Sequence, residues 1–312
     1  MNKNSGLTIT MIFKAQSLNY GEGIGNIAEL KKINRGDGNT YSFASRQAIR
    51  YDIVRLGHKM FGWNLETIDK SKGTLQFMNK ISIKESEEMD IFGYMKTKKA
   101  KSKKDSENEE NEVGGSDTRS AVARLSNAIS LEKYKSDMDF LTNKGFADRI
   151  NEFPNLANIE QHLSFYTYTV TIDLERIGID GETKIDAKQR AKRVKELLEI
   201  IKILNREIRG REENLSPLFV IGGIYQVNSP FFLGRIKLDT DKNGFALNLN
   251  ILNDTLNLKL SEEKIEDNTS IGLVSDIFSN TEEIKNKFPN STKTVQNFFE
   301  DIEEKVEQYY KN

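Results

Sequence analysis

The chain has 312 residues, of which 46 are lysine or arginine and 47 are aspartate or glutamate, so its formal net charge is −1. It contains no cysteine, which excludes a disulfide scaffold, a cysteine-ligated zinc site and a cysteine nucleophile. The two histidines, His58 and His162, are too few for a histidine-rich metal site. No apolar stretch approaches about 20 residues and the first residues lack a secretory pattern, so we expect a soluble, cytosolic protein without a membrane segment.

Charge is distributed unevenly along the chain. The segment 253–312 contains 13 acidic and 7 basic residues, so residues 1–252 carry a net positive charge. This asymmetry indicates a polyanionic partner near the first part of the chain and leaves an acidic C-terminal segment.

The first 60 residues predict a strand, a loop and a helix. Residues 7–16 mix β-branched and apolar side chains, as strands do, and residues 17–40 hold five glycines, as a loop does. Residues 45–57 place apolar side chains at helical spacing, with Ser42 or Ser45 as the N-terminal cap and Gly57 as the end.

The middle of the chain is less regular. Residues 73–83 predict a further strand. Residues 96–104 hold six lysines and residues 105–112 hold five acids, and such blocks cannot bury enough apolar surface to become ordered. We therefore predict a mobile loop over 96–116.

Regular elements return after residue 162. Apolar side chains at a period of two predict a strand over 163–174, and Asp186 caps a long helix that we expect to reach residue 209. Further apolar runs predict two strands and a final amphipathic helix, at 217–225, 231–238 and 295–309 respectively.

The long elements follow the order strand, helix, strand, strand, helix, strand. This order is that of a ferredoxin-like (RRM-like) βαββαβ unit in an α+β protein. Right-handed crossovers place both helices on one face of the sheet, so we expect the other face to be open. In RNA-binding proteins of this architecture the open face meets single strands, although a fold alone does not establish a function.

The predicted helix 45–57 carries the most informative polar face. Arg46 and Arg50 are four residues apart, Gln47 lies beside them, and no acid occurs between positions 38 and 51. Two guanidinium groups and an amide suit phosphate and ribose oxygens, because arginine offers a rigid fork of donors. The alternative is a solvated face, or an ion pair with an acid that is remote in the sequence.

Other candidate groups carry weaker signals. Further basic residues occur in two groups, Arg119 with Arg124, and Arg206 with Arg209 and Arg211. The glycines at 21–25 lack the lysine and hydroxyl residue of a phosphate-binding loop, so a flexible loop is the better interpretation. His58 and His162 have no partner at motif spacing, which favours surface or capping roles.

Several blocks of the sequence resemble a known family. Lys14-Ala-Gln-Ser-Leu-Asn-Tyr-Gly21, followed by Ser42-Phe-Ala-Ser-Arg-Gln-Ala-Ile-Arg50, is similar to the opening of the DevR-type backbone subunit of type I-B CRISPR surveillance complexes (Cascade). Asp90-Ile-Phe-Gly-Tyr-Met95, Arg119-Ser-Ala-Val-Ala-Arg124 and Phe219-Val-Ile-Gly-Gly-Ile-Tyr225 follow in the expected order. The similarity spans nearly the whole chain.

The resemblance implies a single subunit shaped like a right hand. It implies a ferredoxin-like palm at 1–60 and 161–252, a finger insertion at 61–160, and a thumb hairpin within 205–235. The acidic segment 253–312 follows the palm.

The resemblance also implies partners. They are guide RNA, target DNA through the guide, further copies of the chain stacked head to tail, and other Cascade subunits. Such a subunit binds RNA without cutting it, so we expect no catalytic residue, metal or cofactor. The implied RNA contacts are Lys14, Gln16, Ser17, Asn19, Arg46, Gln47, Arg50, Arg119, Arg124, Arg209 and Tyr225.

Three alternatives stay open. In backbone subunits of type III complexes a loop aspartate and a metal cut target RNA, and Asp37 lies in the corresponding loop, although it also suits a turn. A guide-processing endonuclease of ferredoxin-like fold would need a histidine-centred site. A regulatory or structural protein would not bind RNA at all.

Overall fold

In the computed structural model, the described parts of the chain are residues 5–71, 73–97 and 116–311. Of the predicted loop 96–116, residues 98–115 lie outside these ranges. Within the described ranges, no helix is both long and apolar enough to cross a membrane. The helices are α1 (Arg46–Phe61), α2 (Glu87–Phe92), α3 (Lys144–Ile150), α4 (Ala187–Lys202), α5 (Leu249–Leu256), α6 (Thr281–Lys287) and α7 (Val295–Lys311), with a 3₁₀ turn at Ile265–Asn268.

The strands are numbered in chain order. They are β1 (Gly6–Ala15), β2 (Ile27–Ala28), β3 (Lys32–Asn34), β4 (Thr40–Ala44), β5 (Ile68–Ser71), β6 (Thr74–Phe77), β7 (Tyr94–Thr97), β8 (Ser116–Arg119), β9 (Ala123–Leu125), β10 (Ala128–Ser130), β11 (Asp137–Thr142), β12 (Leu156–Gln161), β13 (Ser164–Asp173), β14 (Ile179–Asp180), β15 (Thr183–Lys184), β16 (Asn205–Ile208), β17 (Arg211–Asn214), β18 (Phe219–Tyr225), β19 (Leu238–Asp241), β20 (Gly244–Leu247), β21 (Lys259–Leu260), β22 (Glu263–Lys264), β23 (Thr269–Leu273) and β24 (Thr292–Thr294).

A large mixed sheet forms the centre of this α+β structure. Its strand order is β24-β23-β18-β1-β13-β10-β4-β3, with β9 also paired to β13. All ten residues of β1 pair antiparallel with β13, from Gly6 opposite Asp173 to Ala15 opposite Ser164. The other edge of β1 pairs antiparallel with β18. The predicted strands 7–16, 163–174 and 217–225 are therefore the three central strands.

The prediction that residues 73–83 form the second strand of the βαββαβ unit is wrong. Residues 74–77 pair only with β5, in a hairpin outside the main sheet. The place beside β13 is taken by β9 and β10, two three-residue strands separated by Ser126 and Asn127. Each is too short to show a period of two, so neither could be recognised from its pattern.

Two other predicted elements differ in extent. The helix that Asp186 caps ends at Lys202, because residues 205–208 and 211–214 pair as a hairpin. Residues 231–235 form turns instead of a strand, and Phe231 and Phe232 pack into a core. The predicted final helix is confirmed as α7.

Helices α1, α4 and α7 cover one face of the main sheet. Alternate residues of β1, among them Leu7, Ile9, Met11 and Phe13, point into this first core and are fully buried. The apolar stripes of α4 and α7 complete it, with Val194, Leu198, Phe298, Ile302 and Val306.

A second core covers part of the opposite face, so the prediction of an open sheet face is wrong there. Ile12, Phe165, Phe219 and Ile221 point to this side and pack against the segment 231–288. That segment supplies Phe232, Leu252, Phe278 and other apolar side chains. The C-terminal part is thus a packed layer as well as an acidic segment.

Helix α1 begins as predicted but ends one turn later. Ser45 is its cap, since the hydroxyl oxygen accepts the Ala48 N–H at 3.3 Å. The end is Gly62, which has a left-handed φ of 71°. Gly57 lies inside the helix, where a Cβ would approach the Trp63 ring to 2.4 Å. Gly57 is therefore needed for the close approach of Trp63.

Replacing Gly57 with alanine tests this contact. We expect Gly57→Ala to lower the free energy of unfolding by about 1–3 kcal/mol, because overpacking outweighs the better helix propensity of alanine. The measurement is urea denaturation. The matched control is Gly145→Ala in α3, where a Cβ meets open space. A stabilised Gly57→Ala variant would contradict the packing argument.

Two carboxyl groups face each other between α4 and α7. Burial, followed by hydrogen bonding with and repulsion from Glu199, raises the pKa of Glu303 to about 7. The positive charges of Lys202 and Lys195 lower the pKa of Glu303, but they offset only part of this rise. The helix pair therefore holds a proton near neutral pH.

This proton makes stability depend on pH. The folded pKa of Glu303 is above its ordinary value of 4.5, so folding takes up a proton between about pH 4.5 and 7 and stability falls as pH rises through that window. The free energy of unfolding, measured by urea denaturation, should therefore fall between pH 5 and pH 8 in the wild type. We expect this decrease to be smaller by roughly 1–2 kcal/mol in Glu303→Gln. Glu304→Gln, at an exposed position of the same helix, should keep the wild-type pH profile.

Candidate nucleic-acid interface

The end of β1 and the start of α1 meet at one corner of the molecule. The Asn19 side chain donates to the Ser45 hydroxyl at 3.1 Å, so the segment after β1 is tied to the helix cap. On the other side, the Arg46 N–H donates to the Asn127 side chain at 2.9 Å. The first turn of α1 contains no acid, so its partial positive charge is not neutralised locally.

Arg46 and Gln47 project from this first turn into solvent. Both are exposed, and their side chains have no hydrogen-bond or ion-pair partner among the described residues. A free guanidinium, a free amide and a helix N-terminus can together bind the oxygens of an anion. The sequence-predicted face is therefore present at these two positions.

Arg50, one turn further along α1, already has partners within the chain. Its guanidinium forms an ion pair with Glu88 at 2.6 Å and lies 5.0 Å from the centre of the Phe92 ring. No acid lies between positions 38 and 51, but α2 brings Glu88 to Arg50 from 38 residues away. The expected pair of free arginines is thus reduced to Arg46.

The hairpin β16–β17 packs against the same corner. Its two-residue turn consists of Arg209 and Gly210, both with positive φ, as a tight hairpin turn requires. Arg206 attaches the hairpin to α1 and to the segment after β1. Its guanidinium donates to the Leu18 carbonyl at 2.6 Å and pairs with Asp52 at 2.5 Å. The predicted thumb region 205–235 begins with this hairpin.

Two arginines of this hairpin line the corner. The exposed Arg209 lies 4.5 Å from the centre of the Tyr20 ring. Arg211, which sequence analysis noted only as part of a basic group, donates to the Gln16 side-chain oxygen at 2.9 Å and approaches Asp139 at 3.4 Å. Tyr20 and Asn127 are corner residues that the sequence analysis did not select, although Tyr20 lies in the first block that resembles the family.

The remaining predicted contacts at the end of β1 are less accessible. Ser17 is buried, and its hydroxyl has no partner in the described part of the chain. Gln16 donates its N–H to Glu213 at 3.0 Å and its amide to Gln161. Asn19 is committed to Ser45. These residues shape the corner, whereas Arg46, Gln47 and Arg209 are its exposed donors.

Arg119 and Tyr225 have roles inside the fold instead of at the predicted interface. Arg119 is buried, pairs with Asp90 at 2.7 Å, and also donates to the carbonyls of Arg176 and Ile179. Asp90 in turn pairs with Arg193 at 2.8 Å. The Tyr225 hydroxyl contacts the Thr269 hydroxyl at 2.8 Å within the second core.

Lys14 and Arg124 are exposed, but neither contacts the start of α1. Lys14 follows Ile12 and Phe13 on β1, with its ammonium group 5.4 Å from the centre of the Phe165 ring on the second-core side of the sheet. Arg124 lies opposite Thr171 at the edge formed by β9. The structure therefore does not bring all the predicted basic residues together.

The histidines and Asp37 serve local structure. His162 is buried beside Ser42 and Tyr166, with its Nδ1 atom 2.7 Å from the Ser42 hydroxyl, and burial lowers its pKa. His58 contacts the Trp63 carbonyl at 2.8 Å. The Asp37 carboxylate accepts the Asn39 N–H at 3.0 Å, as in a turn. The described residues contain no cluster of three metal-binding side chains.

The protein thus has an α+β fold, and one corner of it exposes the side chains of two arginines and a glutamine. The chain belongs to the family described as "CRISPR-associated negative auto-regulator DevR/Csa2", whose model matches residues 7–242. This confirms the resemblance seen in the sequence. No curated protein matches the sequence significantly.

Solved structures support the fold. The chain is similar to one from the "CRISPR RNA-guided surveillance complex, pre-nicking", with a TM-score of 0.56 and 11% identity over 97% of this chain and 100% of that one. A chain of a "CRISPR RNA-guided surveillance complex" gives a TM-score of 0.52 and 13% identity, with the same coverage of both chains. At this identity the likeness concerns the fold alone.

The contrast between Arg119 and Arg124 can be measured. We expect Arg119→Ala to lower the free energy of unfolding by about 3–5 kcal/mol, because Asp90 would lose one of its two buried guanidinium partners. Arg124→Ala, which removes an exposed guanidinium five residues later, should change it by less than about 0.5 kcal/mol. Equal effects in thermal or urea denaturation would contradict the structural role of Arg119.

Proposed function

We propose that this chain is a non-catalytic backbone subunit of a type I-B CRISPR surveillance complex. It polymerises along the guide RNA through sugar–phosphate contacts and presents the spacer for pairing with target DNA. Family membership and the fold shared with chains of RNA-guided complexes support this proposal. The observation that carries it is the pair of exposed donors at the N-terminus of α1, Arg46 and Gln47, whose side chains have no partner in the described part of the chain.

In this proposal the central strands are the ferredoxin-like palm. The strand order β18-β1-β13-β9, antiparallel throughout and with α1 and α4 on one face, supports this interpretation. Residues 61–160 contribute the finger, and the hairpin β16–β17 is the best candidate in 205–235 for the thumb. These assignments are extended from the family resemblance.

The corner suits an RNA backbone for a physical reason. The Arg46 fork and the α1 N-terminus favour a phosphate, the Gln47 amide can donate to or accept from a ribose hydroxyl, and Arg209 adds a second cation. Contacts with phosphate and sugar fix position without reading bases. A subunit that serves any guide sequence needs this kind of recognition.

The other candidate residues take secondary roles in the proposal. Arg50 contacts the guide only by sharing its guanidinium between a phosphate and Glu88, so we expect its contribution to be smaller than that of Arg46. Gln16, Ser17 and Asn19 support the corner from beneath. Lys14 and Arg124 are candidates for a separate contact along the sheet.

Two alternatives make different predictions. Cleavage of complementary RNA by the assembled complex with magnesium would favour a type III-like enzyme, but the turn contacts of Asp37 already engage its carboxylate. A regulatory protein is favoured by the words "negative auto-regulator" in the family description. Failure of the monodisperse protein to bind any single-stranded RNA would support that alternative.

The most direct experiment is co-expression with a CRISPR array and its partner proteins, followed by sequencing of the co-purified RNA. The proposal expects guide RNA of one length class with many different spacers. Absence of guide RNA from a complex that still assembles would contradict it.

Substitutions at the corner test the contact itself. We expect Arg46→Ala with Gln47→Ala to weaken binding of a short single-stranded RNA about tenfold, and to reduce the slope of log affinity against log salt by about 0.7. The measurement is fluorescence anisotropy at several salt concentrations.

The matched control removes a cation and an amide elsewhere. Lys242 and Asn243 are exposed neighbours in the turn between β19 and β20, so Lys242→Ala with Asn243→Ala loses the same charge. This control should bind like the wild type. If both double variants lose affinity and salt dependence equally, the corner is not the binding site.

A further inference from the structure

An acidic residue of α2 lies against one of the arginines of α1. The Glu88 carboxylate pairs with the Arg50 guanidinium at 2.6 Å, and the centre of the Phe92 ring lies 5.0 Å from the same guanidinium. The Arg50 side chain is 35% exposed and that of Glu88 is 17% exposed. The ion pair therefore lies at the surface, one helical turn from Arg46, where an anion in solvent can reach it.

The rest of α2 holds Glu88 in this place. The side chain of Ser86 caps the start of the helix. Asp90, two residues after Glu88, is fully buried and pairs with the guanidinium groups of Arg119 and Arg193. Because α2 cannot shift without breaking these buried ion pairs, the Glu88 carboxylate has a fixed position beside α1.

Glu88 neutralises part of the positive charge at the start of α1. Residues 46–51 contain two arginines, Arg46 and Arg50, and no acid. The opposing charge comes from α2 instead, through Glu88. A polyanion that approaches the start of α1 consequently meets one unpaired guanidinium there instead of two.

Arg50 keeps donors for a second acceptor while it is paired. Within the described ranges, the only hydrogen bond of its guanidinium runs from Nη2 to the Glu88 carboxylate. Carboxylate and phosphate oxygens are both acceptors for the arginine fork, so they compete for the same guanidinium. A phosphate can displace the carboxylate, because an ion pair that is partly exposed to solvent stabilises a fold only weakly.

Arg50 is the intermediate case among the arginines near this corner. Arg206 pairs with the buried Asp52 and attaches the hairpin β16–β17, so it is not available to a ligand. Arg46 and Arg209 are exposed and have no ion-pair partner in the described part of the chain. Arg50 combines an acidic partner with a partly exposed side chain, and this combination suits a contact that changes partner when a ligand binds.

We propose that Glu88 is an autoinhibitory residue, which pairs with Arg50 in the free chain and competes with an RNA phosphate for its guanidinium. This inference rests on the proposed function and concerns the regulation of the same site. A phosphate at Arg46 gains nothing from Arg50 until a further phosphate displaces the carboxylate. The pair therefore favours a continuous strand over small anions and keeps the affinity of a single copy for RNA low.

Neutralising the acid tests this role. We expect Glu88→Gln, in the full chain, to bind a short single-stranded RNA about three- to fivefold more tightly than the wild type. The slope of log affinity against log salt should become steeper by about 0.7, because one more phosphate is neutralised. The measurement is fluorescence anisotropy at several salt concentrations. Glu88→Asp, which keeps the charge on a shorter side chain, should show a smaller gain.

A double variant assigns the gain to Arg50. Glu88→Gln with Arg50→Gln replaces the ion pair by two neutral side chains, so the net charge stays that of the wild type. This variant should bind RNA within about twofold of the wild type and with the same salt slope.

The matched control for overall charge is Glu85→Gln. Glu85 is exposed and lies three residues before Glu88, and its carboxylate accepts the Ser82 N–H at 2.8 Å. The substitution removes the same charge from the same segment without freeing Arg50. It should bind RNA like the wild type.

Three outcomes, obtained with variants that circular dichroism shows to be folded, would overturn the inference. They are no gain in Glu88→Gln, an equal gain in Glu85→Gln, and a gain that persists in the double variant. The Arg46→Ala, Gln47→Ala variant reports on the proposed function separately. If it weakens binding while Glu88→Gln brings no gain, the site is correct and the autoinhibition is not. If neither the wild type nor Glu88→Gln binds RNA, both are wrong.

Discussion

The structure depends on the ladder between β1 and its two neighbours. All ten residues of β1 pair with β13, and seven of them also pair with β18, so the strand is fixed on both edges. Its side chains alternate between two cores, which specifies the register, because a slip of one residue would exchange the two sets. The segment after this strand is tied to the start of α1, because the Asn19 side chain donates to the Ser45 hydroxyl.

The arginines divide into buried and exposed groups for reasons that spacing does not reveal. Arg119 and Arg206 meet Asp90 and Asp52, which other elements bring to them. Arg46 meets no acid in the described chain, although it occupies the same kind of sequence position as Arg50. Desolvating a guanidinium requires a partner, so the location of acids decides which arginines can serve a ligand.

Much of the fold could be predicted from local pattern. The period of two in residues 163–174 and the helical spacing after Ser45 and Asp186 gave the central strands and helices, because these segments are long enough for periodicity to show. The second strand was misplaced, since β9 and β10 have three residues each. The second core was missed because it is built from turns and short helices between 231 and 288, whose apolar residues follow no single period.

The candidate site was predicted in part. The polar face at Arg46 and Gln47 followed from helix geometry and lack of local acids. The pairing of Arg50 with Glu88 and the approach of Arg209 to Tyr20 depend on tertiary contacts between segments far apart in sequence. Family resemblance pointed to α1, but it could not separate the donors that face solvent from those that hold the chain together.

The position of α7 has a consequence for the synthesis of this protein. Phe298, Phe299, Ile302 and Val306 complete a core that β1 begins, so the two components are made almost 300 residues apart. While the chain is being translated, the helix-facing side of the central strands keeps an uncovered strip until residues 295–311 emerge from the ribosome. Such an uncovered apolar strip favours aggregation of the nascent chain until α7 is made.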